Sequence, residues 1–382
     1  MPLLSDIVIV DATDRFGWLA GRILADLGGE VIKLDPPGTV RRRPEWRAFN
    51  ANKCVLDLDA QAPADRLRLD ALLDKADICL LTPATFDFGG RLDPRALRAR
   101  YPGLVVVAIR PFGSAGPRRH WRASDLETMA AGGAMTLAGE PDGMPLRVSE
   151  PQSYSWAGAQ AATGALVALY RREMTGCGDL VEVSAQASVV AAIAHAPAFF
   201  DILRVEPKRA GAFMTGRSIR GARYRVFWPC RDGWLNFIFY GGHAGRRTNE
   251  QLVAWMREHG AELGRLAKID WLIFDPTIAD QAEVDALEAP VLKFFAGITK
   301  REFLNEAHRR EMLGYPVATV ADIATDPQLE ARGFFETVAG TGGMAETHCG
   351  SFAIIDRERP PLRHVGGVPV VPKPTRLGGA RS

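Results

Sequence analysis

Four arginines, Arg41, Arg42, Arg43 and Arg47, crowd a short stretch just after an apolar run that ends at Asp35. Guanidinium groups at the end of a strand can fork onto phosphate oxygens, whereas a run of like charge is by default a solvated face. Both readings stand at this point. Asp35 closes a strand–helix–strand pattern, the place where an acidic side chain holds a ribose hydroxyl in dinucleotide-binding folds. The turn before the helix argues against that use. Between Asp14 and Gly21 it holds only Gly17 and Gly21, so the close backbone approach to a pyrophosphate that G-x-G-x-x-G gives is missing. Ser218, in GRSIRG, has the wrong spacing for a G-x-S-x-G nucleophile elbow and reads as a loop serine. Cys54, Cys79, Cys177, Cys230 and Cys349 are well separated and odd in number, with no CxxC pair and no His at ligand spacing. They read as reduced thiols and not as metal ligands.

The elements that must hold these groups follow from the apolar pattern. Ile7–Val10, Leu19–Leu27 and Glu30–Leu34 read as strand, helix and strand, with Gly28–Gly29 as the stop. Apolar runs at Ile78–Leu81 and Leu104–Ile109, separated by a helical Pro94–Ala99, repeat the unit. Such alternation predicts an α/β fold with a parallel sheet. A long helix is expected over Gln160–Arg171, ended by the Thr175–Gly178 turn, then a strand at Leu180–Val183 and a small-residue helix at Ala185–Ile193. Tyr224–Phe239 reads as strands and Asn249–Leu313 as mainly helical, together a second, smaller α/β domain. From Phe334 to Ser382 short strands with Gly and Pro turns return, able to add to the first domain.

Composition bounds the partners. With 47% hydrophobic and 24% charged residues the chain has the make-up of a globular protein, and its formal charge of +2 is too balanced for a nucleic-acid or membrane-surface binder. The N-terminal stretch MPLLSDIVIVDATDR meets charge early and offers no apolar run of signal or spanning length. A cytoplasmic protein acting on a small molecule or another protein is expected.

The strings LAGRILADLGGEVIKLDPPG, FNANKCVLDLD, RYPGLVVVAIRPFGSAGP, ASDLETMAAGG, TLAGEPDGMPLRVSEP, ALVALYRREMTGCGDLVEVS and PVATVADIATDPQLEARGFF together resemble the family III CoA-transferases, in the family's order and spacing. That family includes formyl-CoA and carnitine CoA-transferases, benzylsuccinate CoA-transferases and α-methylacyl-CoA racemases. The resemblance implies a large Rossmann-like, CoA-binding domain made from both chain ends (1–200 and 325–382), a small α/β domain (225–324), a linker (201–224), and two protomers interlocked as a dimer. It also implies that the CoA nucleotide lies near the end of the second strand. Arg41 and Arg42 then become phosphate contacts, Arg91 in GGRLD a further arginine of that kind, and the backbone around Val55 and Leu56 the wall against adenine. CoA thioester would be substrate, with no permanently bound cofactor.

The chemical positions depart from the family pattern. Family transferases use an aspartate that attacks the acyl-CoA thioester, giving a mixed anhydride and then an enzyme-bound CoA thioester. Its motif, P-x-R-x-G-x-P-x-x-D-x-x-x-G, aligns without a gap to PLRVSEPQSYSWAG and puts Tyr154 at the aspartate. A phenol, with a reference pKa of about 10, stays protonated at neutral pH and cannot run that relay. Glu150, four residues earlier, is the nearest alternative carboxylate. Ser124 stands where the family's racemases carry a histidine, so the two-base proton shuttle is missing as well. Thr82–Pro83 replaces the Asn-Phe beside the thioester path, and Phe213–Gly221, with Gly216 and Gly221 as possible bends, replaces the glycine-rich flap. The pattern predicts the non-nucleophilic subunit of a heteromeric CoA-transferase acting on succinate and an aryl- or alkyl-succinate, paired with a related chain that carries the aspartate. The competing expectations are a homodimeric acyl-CoA enzyme working through Glu150 or another group, and a CoA-thioester-binding protein without turnover.

Overall fold

The computed structural model describes residues 3–83, 88–339 and 345–369; positions 370–382 of the tail, read above as returning to strands, lie outside them. The chain divides into two units: residues 1–135, 147–206 and 327–382 form the first, and 136–146 with 207–326 the second.

The first unit is built on parallel strands β1 (Val8–Ala12), β2 (Glu30–Asp35), β3 (Cys54–Asp57), β4 (Ile78–Leu81), β5 (Val105–Arg110) and β6 (Leu180–Ser184), joined near the chain's end by β14 (Val368–Pro369). Their spatial order is β14-β3-β2-β1-β4-β5-β6. Alternate residues enter two different cores. Ile9, Val31, Ile78 and Val105 meet helices α1 (Trp18–Asp26) and α6 (Ser153–Thr175) on one face. Val10, Ile32, Cys79 and Val106 meet α3 (Pro63–Leu73) and α4 (Pro94–Arg100) on the other. Strands covered on both faces read as nearly continuous apolar runs, as in β4 and β5. On α6, Ala157, Ala161 and Ala165 are fully buried, and a Cβ at Gly158 would come within 2.8 Å of Leu19; small residues let α6 lie close on α1.

The sheet is doubly wound from its centre. The chain runs from β1 outward to β2 and β3, then returns to the other side of β1 for β4 and β5. The carboxyl ends of β1 and β4 thus flank a switch point, where open α/β sheets have their ligand crevice. Helix α2 (Pro44–Phe49), after β2, sends Arg47 to Glu346 at 2.5 Å, and Arg22 on α1 donates to the Cys349 carbonyl. Both acceptors lie on β13 (Ala345–Cys349), which pairs antiparallel with β12 (Phe335–Ala339).

In the second unit, β7 (Phe213–Met214) pairs with β8 (Tyr224–Arg225), and an antiparallel sheet of β9 (Phe227–Cys230), β10 (Gly233–Asn236) and β11 (Tyr315–Pro316) packs Trp228 and Leu235 against α9 (Gly242–Glu258), α10 (Gln281–Phe295) and α11 (Lys300–Arg310). Glu288 on α10 is buried, and its Oε1 accepts the Arg225 backbone N–H at 2.6 Å. Burial pushes its carboxyl up to about 7, against the pull of that hydrogen bond and the Arg225 charge. A carboxyl raised above its ordinary 4.5 stabilises the fold when protonated, so this contribution is complete below about pH 4.5 and is lost as pH rises through about 7. Glu288→Gln keeps the acceptor and removes the titration. We expect it to raise stability by ~1–3 kcal/mol at pH 8 and to change little at low pH, measured by urea denaturation of both proteins across that range.

No single helix among the described residues is long and apolar enough to cross a membrane; the pair α7 (Ala185–Ala192) and α8 (His195–Leu203), bent by 68°, reaches that length and composition only together.

Candidate functional site

Tyr154 lies in the first turn of α6, and the start of that helix is held from outside. The carboxylate of Asp125 accepts N–H bonds from Gln152 at 2.9 Å and Ser153 at 2.8 Å and the Ser153 hydroxyl at 2.8 Å, satisfying donors that a helix leaves free. In return the Asp125 N–H donates to the Tyr154 hydroxyl at 3.0 Å. The ring packs edge-on to Phe16 with centroids 4.6 Å apart. Burial pushes the phenol above its usual range, only partly countered by the Asp125 hydrogen bond. Tyr154 is thus a protonated, tethered ring.

Tyr154 and Glu150 line one pocket of about 240 Å³ together with Arg15, Trp18, Glu45 and Gln152, where Arg15 and Glu45 form an ion pair. Ser124 is the N-cap of α5 (Asp125–Ala131); its hydroxyl and backbone N–H both go to the Glu127 carboxylate, at 2.6 and 2.7 Å. Thr82 is buried at the end of β4 and its hydroxyl accepts the Asp14 N–H at 2.9 Å. Thr82 and Pro83 line a second cavity, of about 510 Å³, at the carboxyl ends of β1, β4 and β5. Phe16 lines it too, so a single ring separates that cavity from Tyr154.

The expected nucleotide residues stand further along the same edge. Arg41 pairs with Asp35 at 3.0 Å and also with Asp57, which ties the ends of β2 and β3 together. Asp35 also meets Lys33 at 3.4 Å. Arg42 is exposed. Val55 lies within the sheet, paired to Lys33 on one side and Pro369 on the other, and Leu56 pairs with Leu34. Arg91 faces Asp70 at 3.5 Å, a carboxylate it shares with Arg100 at 3.1 Å. In the second unit Gly216 and Gly221 both have φ of +76°, left-handed backbone suited to glycine. Between them Ser218 is buried, donating to the Ala279 carbonyl at 2.6 Å, and Ile219 N–H donates to Thr277 at 2.8 Å. That loop is pinned to its own unit.

Sequence reading missed Asp125, whose role depends on a contact 28 residues away, and the second cavity's arginines, Arg110, Arg119 and Arg122. The density of arginine in RPFGSAGPRRHWR was the available signal. Gly17 and Gly21 also find their cause here. A Cβ at Gly21 would lie 2.2 Å from Asp11 Oδ2 and 2.8 Å from Lys53 Nζ, and one at Gly17 would lie 2.4 Å from Thr13. The glycines make room for side chains under α1.

A doubly wound parallel sheet with cavities beyond the carboxyl ends of its strands defines an α/β protein of the kind that binds ligands at a switch point. The chain belongs to CoA-transferase family III, whose model matches residues 4–360. It is 27% identical, over 86% of its length and 82% of the relative's, to succinyl-CoA:(R)-benzylsuccinate CoA-transferase subunit BbsE of Thauera aromatica. It is 32% identical to succinyl-CoA–D-citramalate CoA-transferase of Chloroflexus aurantiacus over 46% of this chain and 47% of that one. The fold matches a CAIB/BAIF family protein from Brucella suis with a TM-score of 0.78 at 23% identity, covering 95% of this chain and 94% of the other.

Proposed function

We propose that this chain is the non-nucleophilic subunit of a heteromeric CoA-transferase that moves CoA from succinyl-CoA to an aryl- or alkyl-succinate. The observation that carries the reading is Tyr154, protonated and tethered to Asp125 at the position aligned with the family's aspartate. A partner chain would supply the carboxylate that attacks the thioester carbonyl and expels CoA thiolate. This chain would complete the assembly and shape the pocket. The similarity to a protein named as a subunit of a succinyl-CoA-dependent transferase points the same way. So does α8, whose Phe199, Phe200, Ile202 and Leu203 are each half exposed or more; apolar patches of this kind mark protein interfaces.

Native mass spectrometry of the chain co-expressed with an aspartate-bearing paralogue tests the assembly. We expect a stable heteromer, with transferase activity confined to it. A folded monomer at micromolar concentration, or full activity of this chain by itself, would overturn the reading. The second outcome would favour the homodimeric alternative, supported by Glu150 sharing a pocket with Tyr154.

In this reading Arg41 and Arg42 meet the CoA phosphates, and their different surroundings separate their mutants. Arg42→Ala removes an exposed charge and should weaken CoA binding by about 1.5–3 kcal/mol without a change in melting temperature. Arg41→Ala should do both, because it also strips a partner from buried Asp35. Calorimetric titration with CoA beside a thermal melt distinguishes them, and unchanged affinity in both would leave the cluster a solvated face.

A further inference from the structure

The cavity at the ends of β1, β4 and β5 is lined by three arginines, Arg110, Arg119 and Arg122, none of which has a carboxylate partner among the described residues. Arg110 ends β5, in register with Ser184 of β6, and its Nε is buried without a hydrogen-bond acceptor. A desolvated guanidinium N–H in that state costs free energy that an anion would recover. The one acidic side chain on the lining, Asp14, has an oxygen engaged by the Phe16 N–H at 3.0 Å. Phe16, Ile109 and Trp121 give the same cavity apolar walls. At about 510 Å³ it has room for an anion attached to an apolar body, not merely for an isolated ion.

We propose that this cavity is a carboxylate subsite that holds the non-reacting carboxylate of a dicarboxylic acid, with its alkyl or aryl body against Phe16 and Trp121. This rests on the CoA-transferase reading for the role of the acid, and it adds which residues select a diacid over a monoacid. Position decides between a carboxylate and a CoA phosphate. The cavity is one ring away from Tyr154, where the acyl group must sit. The Arg41–Arg42 stretch lies at the β2–β3 end, three to four strand spacings from β5, roughly 15–20 Å along the sheet edge. Planar guanidinium forks match carboxylate geometry bidentately.

The test is equilibrium titration of the full-length chain with succinate, butyrate and CoA. Succinate is expected to bind about tenfold or more tighter than butyrate, and Arg119→Gln and Arg122→Gln, both on exposed loop positions, each to weaken succinate about tenfold. CoA affinity should stay unchanged in these two and fall in Arg42→Ala. No succinate binding, equal affinity for the two acids, or variants that leave succinate unaffected would overturn the subsite. Loss of CoA affinity in Arg119→Gln or Arg122→Gln would assign the arginines to phosphate and overturn it too. Turnover of succinyl-CoA with the aspartate-bearing partner is measured separately. Arginine-dependent succinate binding without turnover leaves the subsite standing and sinks the transferase reading. Turnover with an unaltered succinate KM in both variants does the reverse.

Discussion

Incubated alone with succinyl-CoA, the purified chain should form no covalent acyl or CoA adduct, and its transferase rate should fall about 10⁴-fold or more below that of the complex with an aspartate-bearing partner. The expectation rests on Tyr154. At neutral pH a phenol of ordinary acidity is ionised only to about one part in 10³, and burial moves this one further toward the neutral form. Its oxygen already accepts the Asp125 N–H, and the Phe16 contact fixes the ring. Even an aryl ester formed there could not exchange onward to an enzyme-bound CoA thioester, so the relay would stop at its first step. Hydroxylamine or borohydride trapping followed by intact-mass analysis reads this out directly. An adduct mapped to Glu150 would overturn the inactive-subunit reading, because Glu150 brings a carboxylate to the pocket that Tyr154 lines.

Tyr154→Asp refines the same prediction. The first turn of α6 favours a carboxylate through the free N–H groups and dipole at a helix N-terminus, so the variant should fold. It should nonetheless gain little activity. The phenol's removal vacates the contact with Phe16 and leaves the Asp125 N–H without its acceptor, and near-attack geometry governs such a step as strongly as the nucleophile does. Robust transfer by the single mutant would mean that Tyr154 alone silences an otherwise complete site.

The parts of the fold that sequence showed are those with strong local causes. The β-branched runs at Val31–Ile32 and Val105–Val107 became strands covered on both faces, and the Gly28–Gly29 stop fell between α1 and β2. Cys54–Asp57 is too short and too mixed to announce a strand, yet it lies in the sheet. Helices α2 and α3 have weak apolar periodicity, and Pro44 and Pro63 at their first positions are a local start signal they carry. Helix α6 begins at Ser153, seven residues before the Gln160 start that its apolar pattern predicts. Gln152 offers no side-chain cap, and the cap comes from Asp125 on another element. Non-local causes of this kind also hid the arginine cavity, since only the return of β5 to the far side of β1 brings Arg110 to the crevice beside Thr82.

Lys53 is the plainest case of a residue whose type misleads, and its replacement should give the largest loss of stability in the chain. A lysine just before an apolar stretch reads as a surface residue, but Lys53 is fully buried under α1. Its Nζ donates to Asp11 Oδ2, to the Asn50 side chain and to the Trp18 carbonyl, each at 2.8 Å, so all three donors of the ammonium are met. Burial pulls the amine down to about 8 against the attraction of Asp11. Burial likewise opposes the Asp11 charge, yet Lys53 and Lys33 together hold that carboxyl below its ordinary range. Asp11 in turn accepts the Thr13 N–H at 3.0 Å and shapes the turn after β1, so the pair supports the switch-point crevice itself. Lys53→Met keeps an unbranched side chain of similar length but abandons a buried carboxylate, an arrangement that costs about 3–5 kcal/mol. Adding Asp11→Asn removes the orphaned charge and should recover part of that loss, giving a coupling well above the few tenths expected of independent sites. Urea denaturation of both single mutants and the double mutant measures the cycle. Additive losses would show that the two groups are stabilised separately, Lys53 through Asn50 and Trp18 and Asp11 through Lys33 and Thr13.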